Sequence, residues 1–439
     1  MMEALRTWAE LRRLRSNLGC SPRHLRSLQD SLLKEAVDHA YASIPFYRRA
    51  WAEAGFHPST LSGIPDLRRL PLITATMVRE AAQRGELLAQ EVETSRCTYL
   101  DSSGSSGRAL RIWKRPLEER VRRAIGLRIW FEHGFSWRDV TVQFQIKPGP
   151  PHPLQRLGIG RKVWISTAHP ILDQMQAFVE AKADVVVGTA TALRNLAGAL
   201  QVAGLTPKRP RFVLCAGELL DSETRRMVNE ALRADPIALY GQTEVGYVAW
   251  ECERRTGLHV NADTHLVEVL QNGEDAAEGE LGNIVITDLR TRTMPLLRYA
   301  TGDLGIAASS PCECGRSFPR LASIEGRARS TVLLADGRTV TTRTIVNQLA
   351  GSLRLGHYRL HQLGLARFRL ELSDAAEEDA LDDAIGRLFE LLGEVDLAVD
   401  RVPPWPPDGT GKTHTVFSTM LTDPHLPALT DLSAVITRR

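Results

Sequence analysis

Between residues 140 and 240 the chain alternates two hydrophobic rhythms. TVQFQI, ADVVVGT, RFVLCAGE and IALYG are short apolar runs of strand length. Between them ILDQMQAFVEAK, TALRNLAGALQVAG and DSETRRMVNEALRA repeat apolar positions at helical spacing. Gly204 closes the second of these helices, and Asp221 or Ser222 offers an oxygen that caps the third. Strands that alternate with helices imply a mostly parallel sheet with helices on its faces. In such sheets ligands collect at the carboxyl ends of the strands.

On either side of this region the rhythm changes. Leu5, Ala9, Leu11 and Leu14 fall near helical spacing and predict an amphipathic helix, and residues 25–55 read as helix. Two short strands, CTYL and ALRIWKR, flank a Ser/Gly loop, and Pro116 starts a helix that Gly134 stops. From about Val260 the pattern becomes strand-rich, with turns at Asn272-Gly273 and at Glu280-Leu281-Gly282, which suggests an antiparallel subdomain. After Arg329 come VLLADGRTV, a helix near 343–353, RFRLELS and the helix EEDALDDAIGRLFELLG, which together read as a small separate α+β domain. No internal repeat is evident.

Composition narrows the function classes. The chain has 439 residues, 43% hydrophobic and 24% charged, which is ordinary for a globular protein with room for two domains. A net charge of +3 is too small to argue for nucleic acid, and no apolar run approaches a membrane span. MMEALRTWAELRR lacks the apolar core of a signal peptide, so the expected location is the cytoplasm. Six cysteines in so long a chain do not make a disulfide scaffold. Cys97 and Cys215 stand in strand-like apolar contexts and read as core, and Cys20 as incidental.

DSSGSSGR, residues 101–108, could be a spacer or an anion cradle. Its flanking strands argue against a spacer between folding units. Gly104 and Gly107, three apart and followed by Arg108, suit a triphosphate: glycines let backbone N–H groups approach an anion, and serine hydroxyls add donors. A Walker loop needs wider glycine spacing followed by Lys and Ser/Thr, and a strand rather than a helix follows here, so the Walker and dinucleotide patterns both fail. Four segments follow downstream: LYGQTEVG at 239–246, LLRYATGDLG at 296–305, RLASIEGRARS at 320–330 and DGTGKTHTVFS at 408–418.

These five segments, in this order, resemble the adenylate-forming superfamily of acyl- and aryl-CoA ligases, on its phenylacetate–CoA ligase-like branch. IPFYRRAWAEAGF, DLRRLPLITATMVRE, ADVVVGTATALRNLA and CECGRSFPRLASIEGR add to the likeness, which spans nearly the whole chain. The resemblance implies an α/β fold: a large N-terminal domain over 1–328, with parallel-rich sheets and a β-rich subdomain, and a mobile α+β lid over 329–439. It implies ATP, Mg²⁺ and CoA as reactants or cofactors. Ser102, Ser103, Gly104, Ser105, Ser106, Gly107 and Arg108 would grip the β- and γ-phosphates. Arg108 stands where relatives commonly have lysine, a planar fork in place of a point charge. Tyr240 would stack on adenine within Tyr240-Gly241-Gln242, Thr243 would lie near the α-phosphate, and Glu244 would hold Mg²⁺, a hard cation that suits a carboxylate. Ala216, Gly217 and Glu218 would line the adenine and acyl pockets. Asp303 would accept from the ribose hydroxyls, and Arg327 would contact ribose or phosphate. Lys412 would bridge the carboxylate and the α-phosphate during adenylation. Phe144, Gln145, Gly246 and Tyr247 flank the expected acid pocket, where an aromatic wall would suit a flat ring.

Two departures bear on the second half-reaction. Arg329 takes the hinge position, followed by no paired aspartates, and DGRTVTTR replaces a glycine-rich stretch found beside the CoA tunnel of many relatives. Three functions follow. The first is a ligase that activates a small, aromatic acid and passes it to CoA. The second passes the acyl group to a carrier protein or an amine. The third, a non-catalytic nucleotide-binding protein, is opposed by the retention of Lys412, Glu244 and Asp303. A homodimer is compatible with this reading. Cys312-Glu313-Cys314 can hold a metal with two thiolates, and Cys252 and His259 can return two more ligands, a Cys₃His set. The branch resemblance implies that this metal is a structural zinc.

Overall fold

The computed structural model describes residues 2–102, 110–146, 155, 158–349, 358–373, 378–403, 415–418 and 420. Ser103, Gly104, Ser105, Ser106, Gly107, Arg108 and Lys412 lie outside the described residues. The architecture is mixed α/β, and contacts divide the chain into two units, Met1–His133 with Leu239–Ser323 and Gly134–Ala238 with Ile324–Arg439.

The first unit opens with helices. Ser21 caps the helix Pro22–Ser43 by accepting the His24 N–H at 3.2 Å, with proline at the first helical position. The helical stretch expected over 25–55, ending in the turn-rich SIPFYRRAWAEAGFHPS, is two helices, Pro22–Ser43 and Pro45–Glu53, because Pro45 holds Ile44 extended at φ −120° and ψ 111°. In the first helix, Met2–Asn17, only the C-terminal half is covered. Leu11 and Leu14 are buried, whereas Leu5 is 63% exposed and Ala9 also faces solvent. The apolar stripe is therefore shorter than its spacing suggests.

The strands Thr98–Asp101 and Arg111–Lys114 pair antiparallel around the Ser/Gly loop. Ser102 pins the loop ends: its N–H donates to the Leu110 carbonyl at 2.8 Å and its Oγ accepts from the Leu110 N–H at 2.9 Å. Arg111 and Asp101 pair at 2.9 Å beside them. Cys97, just before this hairpin, is only half-buried and is not core, because the strand that follows it is exposed along its length. The sheet of this unit runs in the order Glu274–Asp275, His265–Gln271, Leu281–Asp288, Tyr299–Ala307, Arg320–Arg327, Leu258–Val260, Gly246–Glu251 and Ile237–Gln242. Its strands pair mostly antiparallel, as expected beyond Val260. The helix Pro116–Glu132 packs on the strand Gly246–Glu251.

In the second unit Lys162–Ser166, Thr141–Gln145, Val185–Gly188 and Phe212–Ala216 form a parallel ladder in that order. Thr189 caps the helix Ala190–Val202, and Asp221 caps Ser222–Leu232, accepting the Thr224 N–H at 2.8 Å. Val142, Phe144, Phe178, Leu193, Val213 and Cys215 share the core beneath these helices. The same unit holds a four-stranded sheet in the order Asp396–Val402, Arg367–Ser373, Tyr358–Gly364 and Val416–Ser418. The helices Thr342–Leu349 and Glu378–Leu392 bury Ile345, Leu349, Ala384 and Leu388 in that sheet's core. Among the described residues no helix is long and apolar enough to cross a membrane.

Candidate active site and metal centre

The LYGQTEVG segment is a tight hairpin. Ile237–Gln242 and Gly246–Glu251 pair antiparallel, Gln242 opposite Gly246, with a register shift between Tyr240 and Gly241. Gly241 has no room for a side chain: a Cβ there would lie 2.4 Å from the Gly246 carbonyl oxygen. Gly246 takes φ +82°, which favours glycine. These two glycines place Thr243 and Glu244 at the hairpin tip. Glu244 makes no ion pair among the described residues, which leaves its carboxylate available to a cation.

The third motif reaches the second at one atom. Asp303, on Tyr299–Ala307 and 6% exposed, accepts at Oδ2 from the Tyr240 hydroxyl at 2.8 Å and from Gln242 Nε2 at 2.6 Å. Gly302 at φ +75° bends the strand here, and Thr301 Oγ1 accepts the Asp303 N–H at 3.1 Å. A ring, an amide and a carboxylate thus converge from two strands, an arrangement able to hold a flat, hydroxyl-bearing ligand.

Beneath the hairpin runs NADTH, residues 261–265, polar and yet fully buried. Asn261 Nδ2 donates to the Tyr247 carbonyl at 2.8 Å, and His265 Nε2–H donates to the Val245 carbonyl at 3.0 Å. The two side chains grip the chain on either side of Gly246. Asn261 Oδ1 in turn accepts from Trp250 Nε1 at 3.1 Å and Arg128 Nη2 at 2.7 Å. Arg128 and Asp263, both 0% exposed, pair at 2.8 Å, and Asn17 Nδ2 adds a third donor to Asp263 at 2.9 Å. Nothing in the sequence analysis selects these residues. A polar run between two strands reads as a surface loop, and the one available signal is its unbroken lack of glycine and proline. His265→Leu should leave the Val245 carbonyl unsatisfied and destabilise the protein by about 1–3 kcal/mol. His265→Gln, whose amide nitrogen can reach the Nε2 position, should recover most of that in urea unfolding. Equal losses for the two would exclude this hydrogen bond as the cause.

The other candidate residues are placed as follows. In the second unit Ala216 ends its strand, Gly217 takes φ +84°, and Glu218 Oε2 accepts the Thr191 N–H at 2.8 Å. Phe144 is buried in the core against Phe178, ring centroids 6.2 Å apart, and Gln145 accepts from Gln143 at 3.1 Å. Arg327 ends a strand and Arg329 lies in the short helical turn Ala328–Ser330. In the first unit Tyr247 lies against Gly126 of the helix Pro116–Glu132, where a Cβ would come within 3.1 Å of its ring.

Cys252, His259, Cys312 and Cys314 meet, their four ligand atoms within 4.8 Å of one another. The Cys252 and Cys312 sulfurs are 3.7 Å apart, and Cys314 Sγ is 3.3 Å from His259 Nε2. Tetrahedral zinc at ordinary bond lengths requires edges of about 3.8 Å between sulfurs and about 3.5 Å between sulfur and nitrogen, so the donor set fits. His259 Nδ1 faces the Phe318 carbonyl at 3.3 Å, which orients the ring with Nε2 toward the thiols. Burial pushes His259 down to about 4, keeping the imidazole neutral, the form that ligates metal. Burial pushes the Cys252 thiol up to about 12. At Cys312 burial also acts upward, but hydrogen bonds from the Cys314 backbone and from Thr256 outweigh it and bring the thiol down to about 7. Gly315, at φ +80°, closes the turn by donating its N–H to the Cys312 carbonyl at 3.1 Å.

No protein-family profile matches the chain. A phenylacetate-coenzyme A ligase of Thermus thermophilus is 28% identical over 353 residues, 76% of this chain and 78% of that protein. A phenylacetate-coenzyme A ligase of Pseudomonas putida is 25% identical over 395 residues, 84% of this chain and 86% of that one. Among solved structures, a 2-hydroxyisobutyryl-CoA ligase in its postadenylation state superposes with a TM-score of 0.76 at 21% identity, covering 92% of each chain. An anthranilate CoA ligase in complex with anthranoyl-AMP gives a TM-score of 0.55 at 15% identity, over 74% of this chain and 66% of that one. The chain shares its fold with solved acyl-CoA ligases, and its sequence is similar to phenylacetate-coenzyme A ligases over 76% and 84% of its length.

Proposed function

We propose that this protein activates a small, aromatic carboxylic acid with ATP and transfers the acyl group to CoA. The acid's carboxylate oxygen attacks the α-phosphorus, pyrophosphate leaves, and the CoA sulfur then displaces AMP from the acyl carbon. One observation carries the reading. Tyr240 and Gln242, from one motif of the superfamily, meet Asp303, from another, at a single carboxylate oxygen. In this reading Asp303 takes the ribose hydroxyls, Glu244 holds Mg²⁺ and Thr243 lies at the α-phosphate. Arg108 and its loop grip the pyrophosphate, Lys412 stabilises the charge that builds at phosphorus, and residues 329–439 act as the lid. The phenylacetate–CoA ligase relatives support an aromatic acid.

The deciding experiment is carboxylate-dependent exchange of labelled pyrophosphate into ATP across a panel of aryl and alkyl acids. Exchange with at least one acid, and thioester formation on adding CoA, are expected. Absence of exchange across the panel would leave only a nucleotide-binding role. The substitution of DGRTVTTR for a glycine-rich stretch favours a second reading, in which a carrier protein or an amine accepts the acyl group. Exchange without consumption of free CoA would select it.

The Cys₃His cluster is proposed to hold one structural zinc, since four protein ligands leave no open coordination position. The purified protein should carry about one zinc per chain. Cys312→Ala should lose it and unfold at least about 5 °C lower. Full zinc content and an unchanged melting temperature in that variant would rule the site out.

A further inference from the structure

In the second unit the carboxamide of Gln362, 1% exposed on the strand Tyr358–Gly364, joins that strand to two other segments of the chain. Its Oε1 accepts the Leu333 N–H at 3.2 Å and the Ser418 hydroxyl at 2.8 Å, and its Nε2 donates to the Leu333 carbonyl at 2.5 Å. The amide thus meets both backbone groups of Leu333, as a neighbouring strand would, and also reaches a second strand. A carboxamide carries donor and acceptor together, which a methionine of the same length does not.

Both partners stand close in sequence to residues of the expected mechanism. Leu333 ends the short strand Val332–Leu333, four residues after Arg329, the expected hinge. Ser418 ends the strand Val416–Ser418, six residues after Lys412. That strand is held lightly. Among the described residues it is three residues long, lies at the edge of its sheet and pairs parallel with Tyr358–Gly364, Val416 opposite Leu360 and Ser418 opposite Gln362. A parallel pair is slightly less stable per residue than an antiparallel one. Of the three residues only Val416 is buried. A slip of one residue would move the strand by about 3.3 Å and turn Val416 out of the core. Phe417 stacks on His361, ring centroids 4.8 Å apart, and favours the same register. The Ser418–Gln362 hydrogen bond is the directional contact, and it forms only in this register. Because Leu333 fixes Gln362 through two bonds, the amide does not follow a displaced Ser418.

We propose that Gln362 is a positioning residue for adenylation: through Ser418 it sets the register of the strand that follows Lys412, and through Leu333 it ties that strand to the segment that follows the hinge. This rests on the proposed role of Lys412 in acid activation and adds the residues that aim it. A misplacement of about 1 Å caused far from the chemistry can cost about 100-fold in rate. One buried hydrogen bond that fixes a register is therefore enough to matter for a charge that must sit between carboxylate and α-phosphate.

The test separates the two half-reactions. Ser418→Ala removes the hydroxyl and leaves Gln362 bonded to Leu333, so the fold should survive it. Its kcat for carboxylate-dependent pyrophosphate exchange should fall about 10-fold, with KM for ATP within about twofold of wild type. Thioester formation from preformed acyl-adenylate and CoA should stay close to wild type. Ser418→Thr, which keeps the hydroxyl, should recover most of the exchange. Gln362→Met, which loses all three hydrogen bonds, should show a larger loss with the same split. Exchange within about twofold of wild type in both Ser418→Ala and Gln362→Met, equal loss in both half-reactions, or no rescue by threonine overturns the proposal. Amide hydrogen–deuterium exchange needs no turnover. The Leu360 N–H donates to the Thr415 carbonyl at 2.8 Å across the two strands, and it should exchange about 10-fold faster in Ser418→Ala. Unchanged protection there would also overturn the proposal. Absence of pyrophosphate exchange in wild type with every acid would instead count against acid activation itself, and the amide protection would still decide whether Ser418 and Gln362 fix the strand.

Discussion

Lys412→Ala should lower carboxylate-dependent ATP–pyrophosphate exchange about 1,000-fold, at the upper end of what loss of one pre-organised charge-stabilising donor costs. When the carboxylate attacks, negative charge accumulates on the α-phosphate oxygens and on the departing pyrophosphate. A fixed ammonium bridging carboxylate and phosphate stabilises that charge more than it stabilises bound ATP, so the loss should fall in kcat. The second half-reaction has no charge building at phosphorus under attack. Supplied with preformed acyl-adenylate and CoA, the variant should therefore still make thioester at a rate close to wild type. Exchange within threefold of wild type would remove Lys412 from adenylation, and parallel loss of both half-reactions would point to a folding defect.

The second large effect is expected at Asp303. Asp303→Ala should reduce kcat/KM for ATP in the exchange assay about 100-fold, the equivalent of one or two charge-assisted hydrogen bonds. Two losses combine here. The proposed ribose contacts disappear, and the Tyr240 hydroxyl and Gln242 amide lose the oxygen that holds them at 2.8 and 2.6 Å. Asp303→Asn keeps the shape and one acceptor oxygen, so it should fall between the two proteins. Because Asp303 is buried, unfolding curves must accompany the kinetics. An ATP dependence that is unchanged in a folded Asp303→Ala protein would sink the nucleotide assignment.

Much of the local structure was legible because local chemistry decides it. Pro116 at a helix start, Asp221 as a cap, and the glycines of LYGQTEVG act within a few residues of themselves, and the structure places helix, cap and hairpin where those residues stand. The errors arose where a distant element intervenes or fails to. Leu5 and Ala9 have helical spacing and no partner to cover them, so they stay exposed. Cys97 has apolar neighbours in sequence, but the hairpin it leads into is exposed. Helical spacing over 25–55 does not register the break at Ile44, although the restriction that Pro45 imposes on it is itself local.

From sequence alone came the alternation that makes the α/β class, the five ordered segments, and the identity of the four Cys and His residues. Each is a matter of residue type and order, which the chain carries before it folds. Only the tertiary structure decided which groups meet. It brought Asp303 to Tyr240 and Gln242, closed three cysteines and a histidine to within 4.8 Å, and buried the polar run 261–265 under the hairpin. Side-chain hydrogen bonds act over about 3 Å, whereas these partners lie tens of residues apart in the chain, so their pairing depends on how the sheet is stacked.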